Sequence, residues 1–115
     1  MFIELSTVGI YVIPGFTDMR KQINGLSTAL YDLCEIDLQE PNIFIFCGKS
    51  KKILKILYWD RNGFCLWQKK LGKDKFPWPQ ESDKLECIDL NKLHLLLKGI
   101  DFWKEHKPLP SKVFF

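Results

Sequence analysis

Apolar residues recur along this chain with two different periods, and the switches between them mark out its elements. The stretch Phe2 to Ile13 is rich in β-branched and aromatic residues and stops at the turn pair Pro14-Gly15. That composition predicts one or two short strands. Beyond it the period changes, with Met19, Ile23, Leu26, Leu30 and Leu33 spaced by 4, 3, 4 and 3 positions. This spacing predicts an amphipathic helix from about Asp18 to Leu33, with Thr17 as its cap and an apolar stripe facing a sheet. Arg20, Lys21, Gln22, Asn24 and Thr28 fall on its other faces. Gly25 costs such a helix about 1 kcal/mol relative to Ala, so the reading expects a backbone or a ligand to approach closely there.

Past Pro41-Asn42 the run Ile43-Phe44-Ile45-Phe46-Cys47 is apolar throughout, the pattern of a mid-sheet strand covered on both faces. The segments Ile53 to Trp59 and Phe64 to Lys70 flank Asp60-Arg61-Asn62-Gly63, a turn sequence in which Gly63 is expected to supply a positive φ and close a hairpin. A type I turn with a glycine bulge sets Trp59 opposite Cys65, Tyr58 opposite Leu66 and Leu57 opposite Trp67. Leu54, Ile56, Tyr58, Phe64 and Leu66 then share a core face; Lys55, Leu57, Trp59, Trp67 and Lys69 share the other, which either covers a helix or meets a partner. The prolines of Phe76-Pro77-Trp78-Pro79 forbid a central strand, so this segment is expected to fold back over the sheet. Leu85 to Ile88 reads as a short strand. Asp89 or Asn91 then caps a last helix, with Leu93, Leu96, Leu97 and Ile100 on its apolar side and Gly99 at its end. The tail from Lys104 has no periodicity and is expected to be extended, docking through Phe114 and Phe115.

These elements give an α+β single domain over residues 1–106, an antiparallel sheet with a central hairpin packed against an N-terminal amphipathic helix and a short C-terminal helix, with residues 107–115 as a tail. The length of 115 residues suits one compact domain, and 46% hydrophobic residues with 16 aromatics supply a core. No apolar run approaches a membrane span, and the N-terminus lacks a leader pattern. Cys34, Cys47, Cys65 and Cys87 form no C-x-x-C pair. The expectation is a cytoplasmic chain with reduced thiols and no disulfide framework.

Charge changes this picture. The net charge is only +3, yet Lys49 to Lys75 holds nine bases against Asp60 and Asp74, while the remainder is net negative. The hairpin would bring Lys49, Lys51, Lys52 and Lys55 together with Lys69, Lys70, Lys73 and Lys75 at one end of the sheet. Such a footprint suits a polyanion, through salt-sensitive and weakly sequence-selective phosphate contacts, or else is a solvated lysine surface. Trp59, Trp67 and Trp78 are candidates for stacking on bases, or core residues. Cys47-Gly48-Lys49-Ser50-Lys51-Lys52 offers amides and charges to a phosphate, or makes an ordinary turn. Catalytic patterns are missing: no nucleophile elbow, no phosphate-cradling Gly-rich motif, and His94 and His106 near no cysteine, with His94 read as a partly buried helix residue and His106 as a surface one. No catalytic residue, metal site or cofactor is expected. Asp18, Asp60 and Asp101 are the best separated acids, and each also reads as a helix-start, turn or helix-end residue.

The ordered motifs Thr17-Asp18-Met19-Arg20-Lys21, Ile23, Gly25-Leu26, Phe44-Ile45-Phe46-Cys47, Lys55-Ile56-Leu57-Tyr58-Trp59-Asp60, Asn62-Gly63-Phe64-Cys65-Leu66-Trp67, Lys69-Lys70-Leu71 and Phe76-Pro77-Trp78-Pro79 resemble one family. It is the TnpB (Orf-two) accessory family of IS-sixty-six type insertion sequences, and the likeness runs from about Phe2 to His106. The resemblance implies a bacterial mobile-element protein made beside a transposase that carries the cutting and joining chemistry. It offers no catalytic residues. Family members often carry arginines in the loop after Phe-Cys, where this chain has Lys49, Ser50, Lys51 and Lys52, and often Gly at the position of Arg61. Lysine keeps the charge without bidentate geometry, so DNA contact here would position rather than read bases. The leading expectation is a non-catalytic transposition factor binding DNA through Arg20, Lys21, Lys49, Lys51, Lys52, Lys55, Arg61, Lys69 and Lys70. The alternative is an adaptor that holds the transposase through Asp18, Trp67 and Trp78 without touching DNA. A nuclease using Asp18 and Asp60 is the third, weaker reading.

Overall fold

In the computed structural model, residues 9–33, 35, 37–79 and 85–99 are described. Expectations for Phe2 to Val8, Cys34, Ile100, Asp101, His106 and the tail lie outside them. The chain runs β1 (Gly9–Val12), α1 (Ile23–Leu33), β2 (Asn42–Cys47), β3 (Ile53–Asp60), β4 (Gly63–Lys70), β5 (Glu86–Ile88) and α2 (Leu90–Leu97). The five strands form one sheet in the order β4-β3-β2-β1-β5. β2 is central and Ile43–Cys47 is buried throughout, as a continuous apolar run requires.

The sheet is mixed rather than purely antiparallel. β1 and β2 are parallel, Gly9 opposite Asn42 and Val12 opposite Ile45, because α1 carries the chain back to the starting end of the sheet between them. The other neighbours are antiparallel. The hairpin therefore lies at one side, with β4 as an edge strand.

Two apolar layers sandwich the sheet. Above one face, Leu26 and Leu30 of α1 meet Phe44, Phe46, Leu57, Ile13 and Leu38. Against the other, Leu93 and Leu96 of α2 join Phe76 and Trp78 over Ile10, Val12, Ile43, Ile45, Leu54, Ile56 and Tyr58. The Phe76–Pro79 segment folds over the sheet as expected: Trp78 Nε1 donates to the carbonyls of Ile13 (3.1 Å) and Gly15 (2.8 Å), and Pro79 O accepts from Gly15 N.

Hairpin pairing differs from the expected register by one residue. Trp59 faces Phe64, Tyr58 faces Cys65 and Leu57 faces Leu66, around the two-residue loop Arg61-Asn62. Positive φ falls on Arg61 (56°) and not on Gly63, and Asn62 N donates to Asp60 O at 2.6 Å. Because strand side chains alternate, this slip exchanges the two faces of β4. Phe64 and Leu66 join the α1 layer, while Cys65 and Trp67 join the α2 layer.

The first helix begins five residues later than the apolar spacing predicts. Thr17 continues alongside β2, its N–H on Cys47 O, and caps nothing. Asp18 accepts from Arg20 N, and the carbonyls of Met19 and Lys21 turn toward Lys55 instead of along a helix axis. Regular bonding starts with Leu26 N on Gln22 O. Leu33, at the far end of the stripe, is 44% exposed. Helix α2 is capped by Asp89, whose carboxylate accepts from Lys92 N at 2.7 Å, and it ends at Gly99 with φ 78°.

Candidate nucleic-acid interface

Three connections meet at the end of the sheet where β2 and β4 finish and β3 begins. The 48–52 turn closes through Gly48 N to Ile53 O and Lys51 N to Gly48 O, with Lys51 at φ 62°. Leu71 N on Lys52 O and Phe76 N on Lys51 O hold the 71–76 segment against that turn. Met19 lies directly over it: a Cβ at Gly48 would sit 2.5 Å from Met19 Cγ, so only glycine allows the Met19 loop to pack there.

This convergence gathers cations from four parts of the chain. Lys49, Lys70, Lys73 and Lys75 are exposed, and Lys51 and Lys52 are half-buried. Arg20 and Lys21 flank them on the 18–22 loop. Lys69 donates to Leu97 O (2.9 Å), bringing the C-terminus of α2 and the exposed Lys98 to the same end. A cation at a helix C-terminus also complements the dipole there.

Not every predicted contact belongs to this surface. Lys55 is 1% exposed, and its Nζ donates to Met19 O (2.9 Å) and Lys21 O (2.8 Å), so it pins the 18–22 loop and cannot reach a phosphate. Arg61 stands at the opposite end of the sheet, on the hairpin tip, with its carbonyl accepting from Trp59 Nε1. Arg20 is exposed but tied to Asp18 through three side-chain bonds, the shortest 2.7 Å. The guanidinium holds the Asp18 carboxyl down at about 2, and the carboxylate in turn raises Arg20.

Of the three tryptophans, Trp78 takes the core alternative, while Trp59 and Trp67 keep part of their surface. Trp78 is 5% exposed and belongs to the core, Trp67 packs half-buried on the α2 side, and Trp59 meets Phe64 edge-on at 5.0 Å. The aromatic that does stand in solvent near the cations is Phe16, 44% exposed beside Thr17. Nothing in its sequence neighbourhood announced it. Lys98 was equally hidden, because its place depends on the direction in which α2 crosses the sheet.

The chemistry of this end is therefore electrostatic. Gly48, Lys51 and Lys52 already spend their amides within the turn, the last on Ser50 Oγ, which argues against an open phosphate cradle. Cys47 is fully buried and burial pushes its thiol up to about 12, the opposite of a nucleophile's environment. His94 is exposed on α2, not partly buried as its position in the helix suggested. Among the described residues no three His, Cys, Asp or Glu side chains cluster to hold a metal, and no helix is long and apolar enough to cross a membrane.

Fold and surface together define a class: a small α+β protein with two apolar layers and one cationic end. The chain belongs to the family described as IS66 Orf2 like protein, whose model matches residues 8–107. Family membership makes it an accessory protein associated with an insertion sequence. It is similar to the uncharacterized protein y4hO of Sinorhizobium fredii (strain NBRC 101917 / NGR234), 32% identical over 108 residues that cover 92% of this chain and 93% of the relative. The uncharacterized protein y4jC of the same strain is 31% identical over 99 residues, covering 84% and 85%. No solved structure matches the chain.

Proposed function

We propose that this protein is a non-catalytic accessory factor of transposition that binds DNA phosphates through the cationic end of its sheet while the element's transposase performs the chemistry. One observation carries the reading: Lys49, Lys51, Lys52, Lys70, Lys73, Lys75 and Lys98, far apart in sequence, share one end of the fold. Lysines on turns give point charges without bidentate base readout, so affinity comes chiefly from counterion release and is weakly sequence-selective.

Fluorescence anisotropy on labelled duplexes at several salt concentrations tests it. Contact with about five phosphates gives a log–log salt slope of about −4 to −5. Replacing Lys49, Lys51, Lys52 and Lys70 by Ala is expected to flatten that slope and weaken binding on every sequence, whereas Arg61→Ala, at the opposite end, leaves both unchanged. Undiminished affinity in the quadruple variant overturns the assignment to this surface. Absence of binding even at low salt turns the reading to the adaptor, with retention by purified transposase as its test.

A further inference from the structure

We propose that the outer edge of β4 is a self-association site on which a second copy of this chain adds its own β4 antiparallel, joining two five-stranded sheets into one. The ladder identifies the free groups. Leu71 N bonds Lys52 O, and bonded pairs alternate in an antiparallel ladder, so Leu54–Lys69, Ile56–Trp67 and Tyr58–Cys65 are bonded pairs. Phe64, Leu66, Gln68 and Lys70 therefore turn their amides and carbonyls outward, and among the described residues no strand pairs with them. β4 has no proline or bulge along its eight residues, its blunting lysines, Lys69 and Lys70, stand only at the last two positions, and Phe64 to Trp67 ahead of them is an uninterrupted apolar run. Beside it lies an open groove of about 590 Å³ lined by Gln22, Ile23, Asn24, Gly25, Leu66 and Gln68. It gives a second strand room to lie against the start of α1.

Charge selects the occupant. Along the strand direction the molecule is bipolar. The end where β4 finishes carries the cations described above. The end where β4 begins carries Asp32, Glu35, Asp37, Glu40, Asp60 and Asp89 against Arg61 and Lys92. An acidic peptide lying along β4 matches one end and is repelled at the other. A copy of the chain running antiparallel presents the opposite sign at both ends. The register that pairs Leu66 with Gln68 of the partner subunit uses all four outward-facing residues and sets Trp67 beside its own counterpart on the two-fold axis. The two cationic ends then lie at opposite poles of the joined sheet.

Sedimentation equilibrium on the full chain, without DNA, tests this independently of the DNA-binding reading. The expected result is a mass twice 13.6 kDa at low ionic strength, with dissociation as salt rises. Gln68→Pro removes an outward amide that β3 does not use, so it spares the internal ladder and denies one bond to the second copy. With an unchanged circular dichroism spectrum, its dimer is expected to be at least tenfold weaker. Lys70→Glu, a fully surface change, is expected to weaken the dimer in the same direction at low salt and decides the matter where Gln68→Pro does not fold. A chain that stays monomeric at every concentration overturns the proposal. So does a dimer equally strong in Lys70→Glu, or hydrogen-exchange protection of the Phe64, Leu66, Gln68 and Lys70 amides that does not change with concentration, which would show the chain's own segments covering the edge.

Discussion

Lys55 supports the cationic end from beneath, buried under the 18–22 loop. A buried ammonium is costly unless its protons are satisfied, and two of the three are spent on carbonyls of the 18–22 loop. Removing the charge strands Met19 O and Lys21 O. Lys55→Met, which keeps the stem, is expected to lower stability in urea by about 1–3 kcal/mol, while Lys49→Ala stays within about 0.5 kcal/mol. The thiols offer a second measurement. Cys87 is exposed and Cys47 is fully buried, so an alkylating reagent at about pH 8 is expected to modify Cys87 first and Cys47 only on unfolding. Burial raises the Cys47 thiol from 9.0 to about 12, so the folded chain keeps a proton that the unfolded chain gives up. The contribution of this thiol to stability is therefore complete below pH 9 and lost as pH climbs from there toward 12. A denaturation midpoint that fails to fall in that interval would contradict it. Asp18 has the opposite sign: its ion pair with Arg20 is intact above the ordinary carboxyl range and is released as pH falls toward about 2.

Among the elements, the hairpin shows both what the sequence discloses and where it stops. The strands, the turn position and the mid-sheet run Ile43–Cys47 are written in apolar pattern and turn residues, which act locally. The register is not, because Asp60-Arg61-Asn62-Gly63 is compatible with two loop lengths that differ by a single residue. The structure settles on the shorter loop at the cost of a left-handed Arg61, a conformation that disfavours any residue with a Cβ by about 1–2 kcal/mol. Arg61→Gly is accordingly expected to be neutral or to stabilise by up to about 1 kcal/mol in denaturant titrations, after the added freedom of the unfolded chain is counted. The start of α1 departs from the apolar spacing for a different reason. Met19 fits the apolar stripe of a helix, yet its carbonyl is claimed by a lysine 36 positions away, and periodicity within one segment carries no information about such a claim. At α2 the signals are local: of the two candidate caps, Asp89 and Asn91, it is Asp89 that takes the position. Asp89→Ala is expected to cost about 1 kcal/mol.

For the whole molecule, the cationic end was legible in part. The block from Lys49 to Lys75 is visible in the chain, and the hairpin predicted its gathering at one end. The burial of Lys55 beneath the 18–22 loop, the place of Arg61 at the opposite end and the arrival of Lys98 follow from loop packing, sheet order and helix direction, which a linear pattern does not encode. The same sheet order governs how the protein can be made. β2, β3 and β4 follow one another and pair through short connections, whereas β1 must wait for α1 to return the chain, and its other side pairs with β5, the last strand among the described residues. During synthesis a ribosome has released everything through Lys70 before Glu86 to Ile88 emerges, so nascent chains carry β1 with one side unpaired for the whole translation of the intervening segment. Slow codons or stalling between Leu71 and Leu85 would lengthen that exposure. Loss of soluble yield is then the expected cost of slowing translation there, with no change in any residue.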